Sequence, residues 1–146
     1  MKNKTFSIFK CNKEEAESYL RLIENDFDTR VSERIDIEFY AKKWAENAKF
    51  LSLKDEKEYL VSLIIYYENL FNSSLYITEF VVTRLYRHRG IGHIMLDYLI
   101  GNYSINFRYV DLEVAKDNKN AYQFYIREGF RIIEEKDVKY LMRKDI

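Results

Sequence analysis

Two of the chain's four glycines fall in one short segment, Arg87-His88-Arg89-Gly90-Ile91-Gly92, set between an apolar strand-like run and an amphipathic stretch. The other two, Gly101 and Gly129, stand at expected helix ends, where a left-handed φ is often needed. Gly90 and Gly92 are therefore the pair to read for chemistry. A glycine-containing turn that opens a helix lets backbone N–H groups approach an anion closely, and the helix dipole adds positive potential there. Arg87 and Arg89 supply guanidinium groups suited to phosphate. The segment is neither G-x-x-x-x-G-K-[ST] nor G-x-G-x-x-G, which lowers the case for nucleoside triphosphates and dinucleotides. His88 and His93 sit inside and just after this turn, which places them nearer a bound phosphate than a general-base position. No third ligand at metal spacing accompanies them, so no metal is expected. Cys11, the single cysteine, has no activating neighbours and reads as strand-end packing rather than a nucleophile.

The elements that must position this turn follow from periodicity. Thr5 to Lys10 alternates as a first strand, and Asn12 followed by Glu15 is a capping-box start for a helix carrying Ala16, Tyr19, Leu20, Ile23 and Phe27 on one face. A second helix is marked by Ile37, Tyr40, Ala41, Trp44, Ala45 and Ala48. Phe50–Lys54 and Tyr59–Tyr67 form a hairpin around Asp55 to Glu58, and Leu75–Thr83 is a third strand of this group. The helix after the glycine turn carries Ile91, Ile94, Met95, Tyr98 and Leu99 and is expected to close at Gly101-Asn102. Tyr109–Val114 is a strand, Asn118–Glu128 a helix, and Phe130–Glu135 with Val138–Arg143 a closing hairpin. The order β-α-α-β-β-β-α-β-α-β-β predicts an α/β fold (α+β-like) whose mixed central sheet has helices on both faces.

Length and composition bound the rest. The 146 residues fit one domain, spanning 1–146, with no linker or repeat. Apolar residues are 47% and charged residues 33%, an ordinary globular balance. Lys+Arg and Asp+Glu are 24 each, so the broad basic field of a non-specific nucleic-acid binder is missing, and nucleic acid is not an expected partner. No apolar run approaches a membrane span, and the N-terminus lacks the apolar core of a signal peptide, so a cytoplasmic location is expected. An exposed edge strand or the C-terminal hairpin could pair two subunits into a homodimer.

Arg87-x-x-Gly90-x-Gly92 after a strand and before a helix resembles the acyl-CoA pyrophosphate loop of the GNAT N-acetyltransferase superfamily. Asn118-x-x-Ala121-x-x-x-Tyr125-x-x-x-Gly129-Phe130, following Leu112-Glu113-Val114, is similar to the later part of that fold, in the right order and at the usual separation. Tyr140-Leu141-Met142 looks like the family's closing strand; the specific resemblance covers Tyr76 to Arg143. It implies acetyl-CoA as cofactor, lying in a gap where two neighbouring parallel strands, Leu75–Thr83 and Tyr109–Val114, splay apart. Backbone groups of Phe80, Val81 and Val82 would pair with the pantetheine arm. Arg87, His88, Arg89, Gly90, Ile91, Gly92 and His93 would wrap the pyrophosphate, and Asn118 would contact the arm. Tyr125 is implied as the acid that protonates the leaving thiolate, a role open to a phenol.

An attacking amine must first lose a proton, because a lysine-like amine titrates near ~10.4. A carboxylate, another polar side chain or a water chain could receive it; Glu79 and Tyr76 are the side-chain candidates, and strict alternation puts them on opposite faces of their strand unless a bulge intervenes, as the resemblance implies. Direct transfer in a ternary complex is favoured over a cysteine intermediate. The acceptor's contacts should come from the first half of the chain, around Phe27, Tyr40 to Trp44 and Tyr66-Tyr67, with the acidic run Glu24 to Asp28 suited to a cation. The expected activity is acetylation of a primary amine on a small molecule. Acetylation of a macromolecular amine (a protein or a charged tRNA) and a non-catalytic acyl-CoA-binding domain are the alternatives; Tyr125 disfavours the last, since a pure binder has no need of it.

Overall fold

A computed structural model of the chain describes residues 4–24 and 36–146. Phe27 and most of the acidic run ending at Asp28 lie outside the described residues. The elements are β1 (Thr5–Phe9), α1 (Lys13–Leu22), α2 (Ile37–Asn47), β2 (Lys49–Lys54), β3 (Leu60–Asn69), β4 (Ser74–Val82), a 3₁₀ turn (Arg84–Tyr86), α3 (Ile91–Tyr103), β5 (Tyr109–Ala115), α4 (Lys119–Arg127), β6 (Arg131–Glu135) and β7 (Lys139–Asp145). The expected order of strands and helices is present.

The strands form one seven-stranded sheet in the order β1-β2-β3-β4-β5-β7-β6. All neighbours are antiparallel except β4 and β5. Each face is covered. On one, α3 and α4 bury Leu75, Ile77, Ile91, Met95, Leu96, Leu99, Val110, Leu112 and Phe130 against the sheet. On the other, α1 and α2 bury Ala16, Leu20, Ala41 and Trp44 against Phe50, Leu63, Ile65 and Val81. Two apolar faces on one sheet explain why β3 is buried from Leu60 through Tyr66 instead of alternating.

Local signals set the helix starts. Asn12 Oδ1 accepts from Glu15 N–H at 2.8 Å while Glu15 Oε1 accepts from Asn12 N–H at 3.1 Å, a reciprocal cap for α1. Asp36 caps α2 through Phe39 N–H at 3.1 Å. The C-terminus of α3 differs from the sequence expectation. Gly101 does not close it; the helix runs on to Tyr103 and Ser104 caps it in a right-handed conformation. Tertiary packing carries the extra turn, because the Tyr103 ring meets Phe107 and Tyr66 edge-on and its hydroxyl lies 2.7 Å from that of Tyr66. Gly129, in contrast, does take a left-handed φ of 92° after α4.

Candidate active site

β4 and β5 pair only from Ser74/Tyr109 to Ile77/Leu112. Beyond that, β4 stays with β3 and β5 stays with β7 along its whole length, so the two halves of the sheet part. The parting begins where β4 bulges. Ile65 opposes Glu79 and Tyr66 opposes Ile77, leaving Thr78 as the extra residue. A bulge bends its strand and increases local twist, which turns the end of β4 away from β5.

The bulge also resets the faces. Leu75 and Ile77 lie with the α3/α4 core, and after Thr78 it is Phe80 and Val82 that pack there. Tyr76 opposes Tyr67 and Glu79 opposes Ile65, and both of those partners belong with the α1/α2 core. Tyr76 and Glu79 therefore share one face, the outcome that strict alternation alone would not give.

Backbone directions along the freed part of β4 follow from its pairing with β3. Thr83 N–H donates to Val61 O at 2.9 Å, and Val81 O accepts from Ser62 Oγ at 2.7 Å, so Val81 looks toward β3. Alternation then points the amides and carbonyls of Phe80 and Val82 into the opening. Of the three backbone positions singled out in the sequence, two face the opening and Val81 does not. The Val82 carbonyl already accepts from Arg87 Nε at 3.0 Å, so Arg87 braces the strand end to the loop.

The loop turns by two left-handed residues, His88 (φ 61°) and Gly90 (φ 76°), on either side of Arg89. Gly90 is the N-cap of α3 and contributes no side chain there. The amides of Ile91, Gly92 and His93 form the first turn of α3, whose N–H groups have no partner within the helix. Gly92 has a second reason to be glycine: a Cβ on it would stand 2.8 Å from Phe124 Cζ, so its bareness lets α4 dock on α3. Arg89 lies over the Tyr86 ring at 5.5 Å, and the Tyr86 hydroxyl donates to Asp55. His93 is engaged by carboxylates, with Nδ1 2.8 Å from Glu128 and Nε2 3.1 Å from Asp97.

On the far wall, Asn118 caps α4 by accepting from Ala121 N–H at 3.2 Å. Tyr125 sits in an aromatic nest with centroids 5.3 Å from Phe124, 5.3 Å from Phe130 and 6.5 Å from Phe80. Burial pushes its phenol well above the usual value near 10, and the negative charge of Glu79 pushes the same way. The phenol therefore holds its proton at any physiological pH. Glu79 is itself buried, at 7% exposure.

Tyr76 is held differently. Its hydroxyl donates to Glu113 Oε1 at 3.1 Å, and burial, then the Glu113 charge, raises its pKa as well. Glu113 on β5 also faces Lys136 at 3.4 Å. Glu113 carries no sequence signal of its own; only the β4–β5 register, Tyr76 opposite Asp111, brings it to Tyr76. Cys11 is buried, with its thiol pushed up to about 12 by burial and then by Glu15. A surface hollow of about 540 Å³ bordered by Cys11, Asn12, Lys13, Lys42, Ala45 and Glu46 lies by the start of α1, away from the β4–β5 opening. Among the described residues no cluster of His, Cys, Asp and Glu could hold a metal, and no helix is long and apolar enough to cross a membrane.

The sheet thus opens between two parallel strands, with a glycine turn leading into a helix N-terminus at one end and the half-buried Tyr125 phenol beside it. The family profile described as the GNAT acetyltransferase family matches residues 14–130, and the chain belongs to that family. It is an N-acetyltransferase that uses acetyl-CoA. Solved structures with the same fold include the PaiA N-acetyltransferase from Thermoplasma acidophilum in complex with coenzyme A, at 15% identity and a TM-score of 0.73, covering 97% of this chain and 99% of that one. The ribosomal-protein-S18-alanine N-acetyltransferase from Escherichia coli is similar at 16% identity and 0.75, covering 97% and 94%. A spermidine N-acetyltransferase chimera from Vibrio cholerae and hSSAT is similar at 13% and 0.72, covering 96% and 95%. Comparison with curated proteins finds no match.

Proposed function

We propose that the chain acetylates a primary amine of a small molecule, by direct transfer from acetyl-CoA with both substrates bound. The observation that carries this reading is the placement, beside the β4–β5 opening, of a buried carboxylate, Glu79, within electrostatic reach of a half-buried phenol, Tyr125, whose proton is held by desolvation and by the Glu79 charge. The residues on hand fit the cofactor. Phe80 and Val82 offer strand-edge backbone to an amide-containing arm. The left-handed turn at His88 and Gly90 and the amides opening α3 suit a pyrophosphate, with Arg87 and Arg89 alongside. Asn118 stands where α4 begins and would meet the arm from the other wall.

Acetyl-CoA supplies an acetyl group activated as a thioester. Glu79 accepts the proton that the incoming ammonium must lose. As the carbon–nitrogen bond forms and the carbon–sulfur bond breaks, the Tyr125 hydroxyl donates its proton to the departing sulfur, and the second proton that the new amide nitrogen must shed restores the phenol. Tyr76 is the poorer proton acceptor of the two candidates, because its raised pKa leaves the phenol protonated and its hydroxyl already donates to Glu113. Cys11 has no part, being buried and protonated. For the acceptor, Tyr67 and Tyr76 lie on the same face of the sheet as Glu79, and the partly buried Tyr40 of α2 packs on that core, whereas Trp44 is closed off within it. Aromatic faces around a carboxylate suit a compact organic cation.

Calorimetric titration with acetyl-CoA and with CoA, followed by thiol release against small amines and an N-terminal peptide amine, tests the reading. Micromolar binding with turnover of a small amine is expected. Turnover of the peptide alone would move the acceptor to the macromolecular class, and no binding by folded protein would overturn the whole reading.

A further inference from the structure

His93 stands in the first turn of α3 and its ring is held on both sides. Asp97, at 3.1 Å from Nε2, is one turn along the same helix, so that contact is local. Glu128, at 2.8 Å from Nδ1, is 35 residues away and is the C-cap residue of α4. The Glu128 carbonyl also accepts from Lys144 Nζ on β7. The end of the helix that bears Tyr125 is thus tied by its side chain to α3 and by its backbone to β7. His93 is largely exposed, whereas the Glu128 side chain is 13% exposed and has few other directions open to it.

We propose that the His93–Glu128 bridge is a positioning device, fixing the Tyr125 helix against the first turn of the anion-binding helix so that the two walls of the cofactor site keep their spacing. It rests on the reading of that site given above. His93 and Glu128 are positioning residues here, acting through α3 and α4. The groups facing His93 are Glu128 from α4, Asp97 from α3 and Lys144 from β7. An imidazolium donates from both nitrogens and satisfies both carboxylates; the neutral ring has one N–H and releases one of them. The hydrogen bond to Glu128 first, then the charges of Glu128 and Asp97, raise the His93 pKa above its usual 6.5, against the opposing effects of desolvation and Lys144. The double contact is complete below that raised value and is lost as pH climbs through it.

Positioning and plain electrostatics predict opposite signs. Glu128 is a negative charge near a phosphate site, so by charge alone both Glu128→Ala and Glu128→Gln should tighten acetyl-CoA binding, and equally. Positioning predicts that Glu128→Ala binds acetyl-CoA about tenfold more weakly at pH 6.5. Glu128→Gln, whose amide oxygen still accepts from Nδ1–H, should bind within about twofold of wild type, with the pH midpoint of His93 moved down. The test is calorimetric Kd for acetyl-CoA on the three proteins, each checked by its melting curve, with the His93 ring titrated by NMR. Equal or tighter binding by Glu128→Ala overturns the proposal, as does a Glu128→Gln protein that loses as much as Glu128→Ala. A wild-type chain that binds no acetyl-CoA sinks the reading of the site itself, a result distinct from either.

Discussion

Replacing Gly92 with alanine tests how closely the two helices flanking the opening must approach. Gly92 lies in ordinary helical backbone at the second position of α3, so alanine is conformationally allowed there, and helix propensity favours it by about 1 kcal/mol. Packing opposes it. The new Cβ would lie 2.8 Å from Phe124 Cζ and 3.0 Å from Cε1, inside any normal contact distance. The Phe124 ring is not free to swing away, because it packs edge-on to Phe80 at 6.0 Å and to Tyr125 at 5.3 Å. Overpacking of this kind costs about 1–3 kcal/mol. Packing therefore outweighs propensity, leaving a net loss of about 1 kcal/mol, or about 2–4 °C in Tm for a chain of this size. Acetyl-CoA affinity should fall in the same variant, since the displaced ring adjoins Tyr125 and Phe80. Adding Phe124→Leu removes the obstacle, so the double variant should melt at or above Phe124→Leu alone. Thermal melts of the four proteins in a double-mutant cycle decide it. A Gly92→Ala protein that melts higher than wild type, or a strictly additive cycle, would refute the reasoning.

Other consequences are as direct. Arg143 donates to both oxygens of the buried Asp111 carboxylate at 2.8 and 2.9 Å, so Arg143→Met should cost about 2–3 kcal/mol by urea denaturation; a loss under half a kilocalorie would mean that the pair is solvated. The Cys11 thiol, pushed up to about 12, should resist aromatic disulfide reagents at pH 8 in the native protein and react only on unfolding, and no acetyl-cysteine should be trapped during turnover. Because burial and Glu79 hold the Tyr125 proton well past its usual range, the rate should show no falling limb from that phenol below pH ~10. A decline assigned to Tyr125 at pH 8–9 would contradict its desolvated setting among Phe80, Phe124 and Phe130 beside Glu79. Asn12→Ala removes the reciprocal cap of α1 and should lower stability by about 1 kcal/mol without altering acetyl-CoA affinity.

The parts of this fold that rest on local chemistry were legible in the sequence. The Asn12/Glu15 cap, the apolar stripe from Ile37 to Ala48 and the glycine turn before Ile91 are short-range signals, and each starts its element at the expected residue, although α1 ends at Leu22, short of the Ile23 and Phe27 that the periodicity assigns to it. Long-range register was not legible. Nothing in the residue types of Ile77-Thr78-Glu79 marks a bulge, which only the family resemblance implied, yet the bulge decides which face Glu79 takes. Glu113 reaches Tyr76 only through the parallel pairing of β4 with β5, and Glu128 reaches His93 only through the docking of α4 on α3. The Gly101 reading failed for the same reason, since packing of Tyr103 on Tyr66 and Phe107 extends α3 past a residue that would otherwise stop it. The acidic run ending at Asp28 and Phe27, expected near the acceptor, lies outside the described residues.

The proposed reaction depends most directly on the Tyr125 hydroxyl. Thiol release from acetyl-CoA in the presence of a turned-over amine should be compared between wild type and Tyr125→Phe, with acetyl-CoA Kd measured alongside. Removing one oxygen from an aromatic nest should leave Kd unchanged and lower kcat by about 10²–10⁴. A Tyr125→Phe protein that turns over at the wild-type rate would contradict the assignment of Tyr125 as the acid.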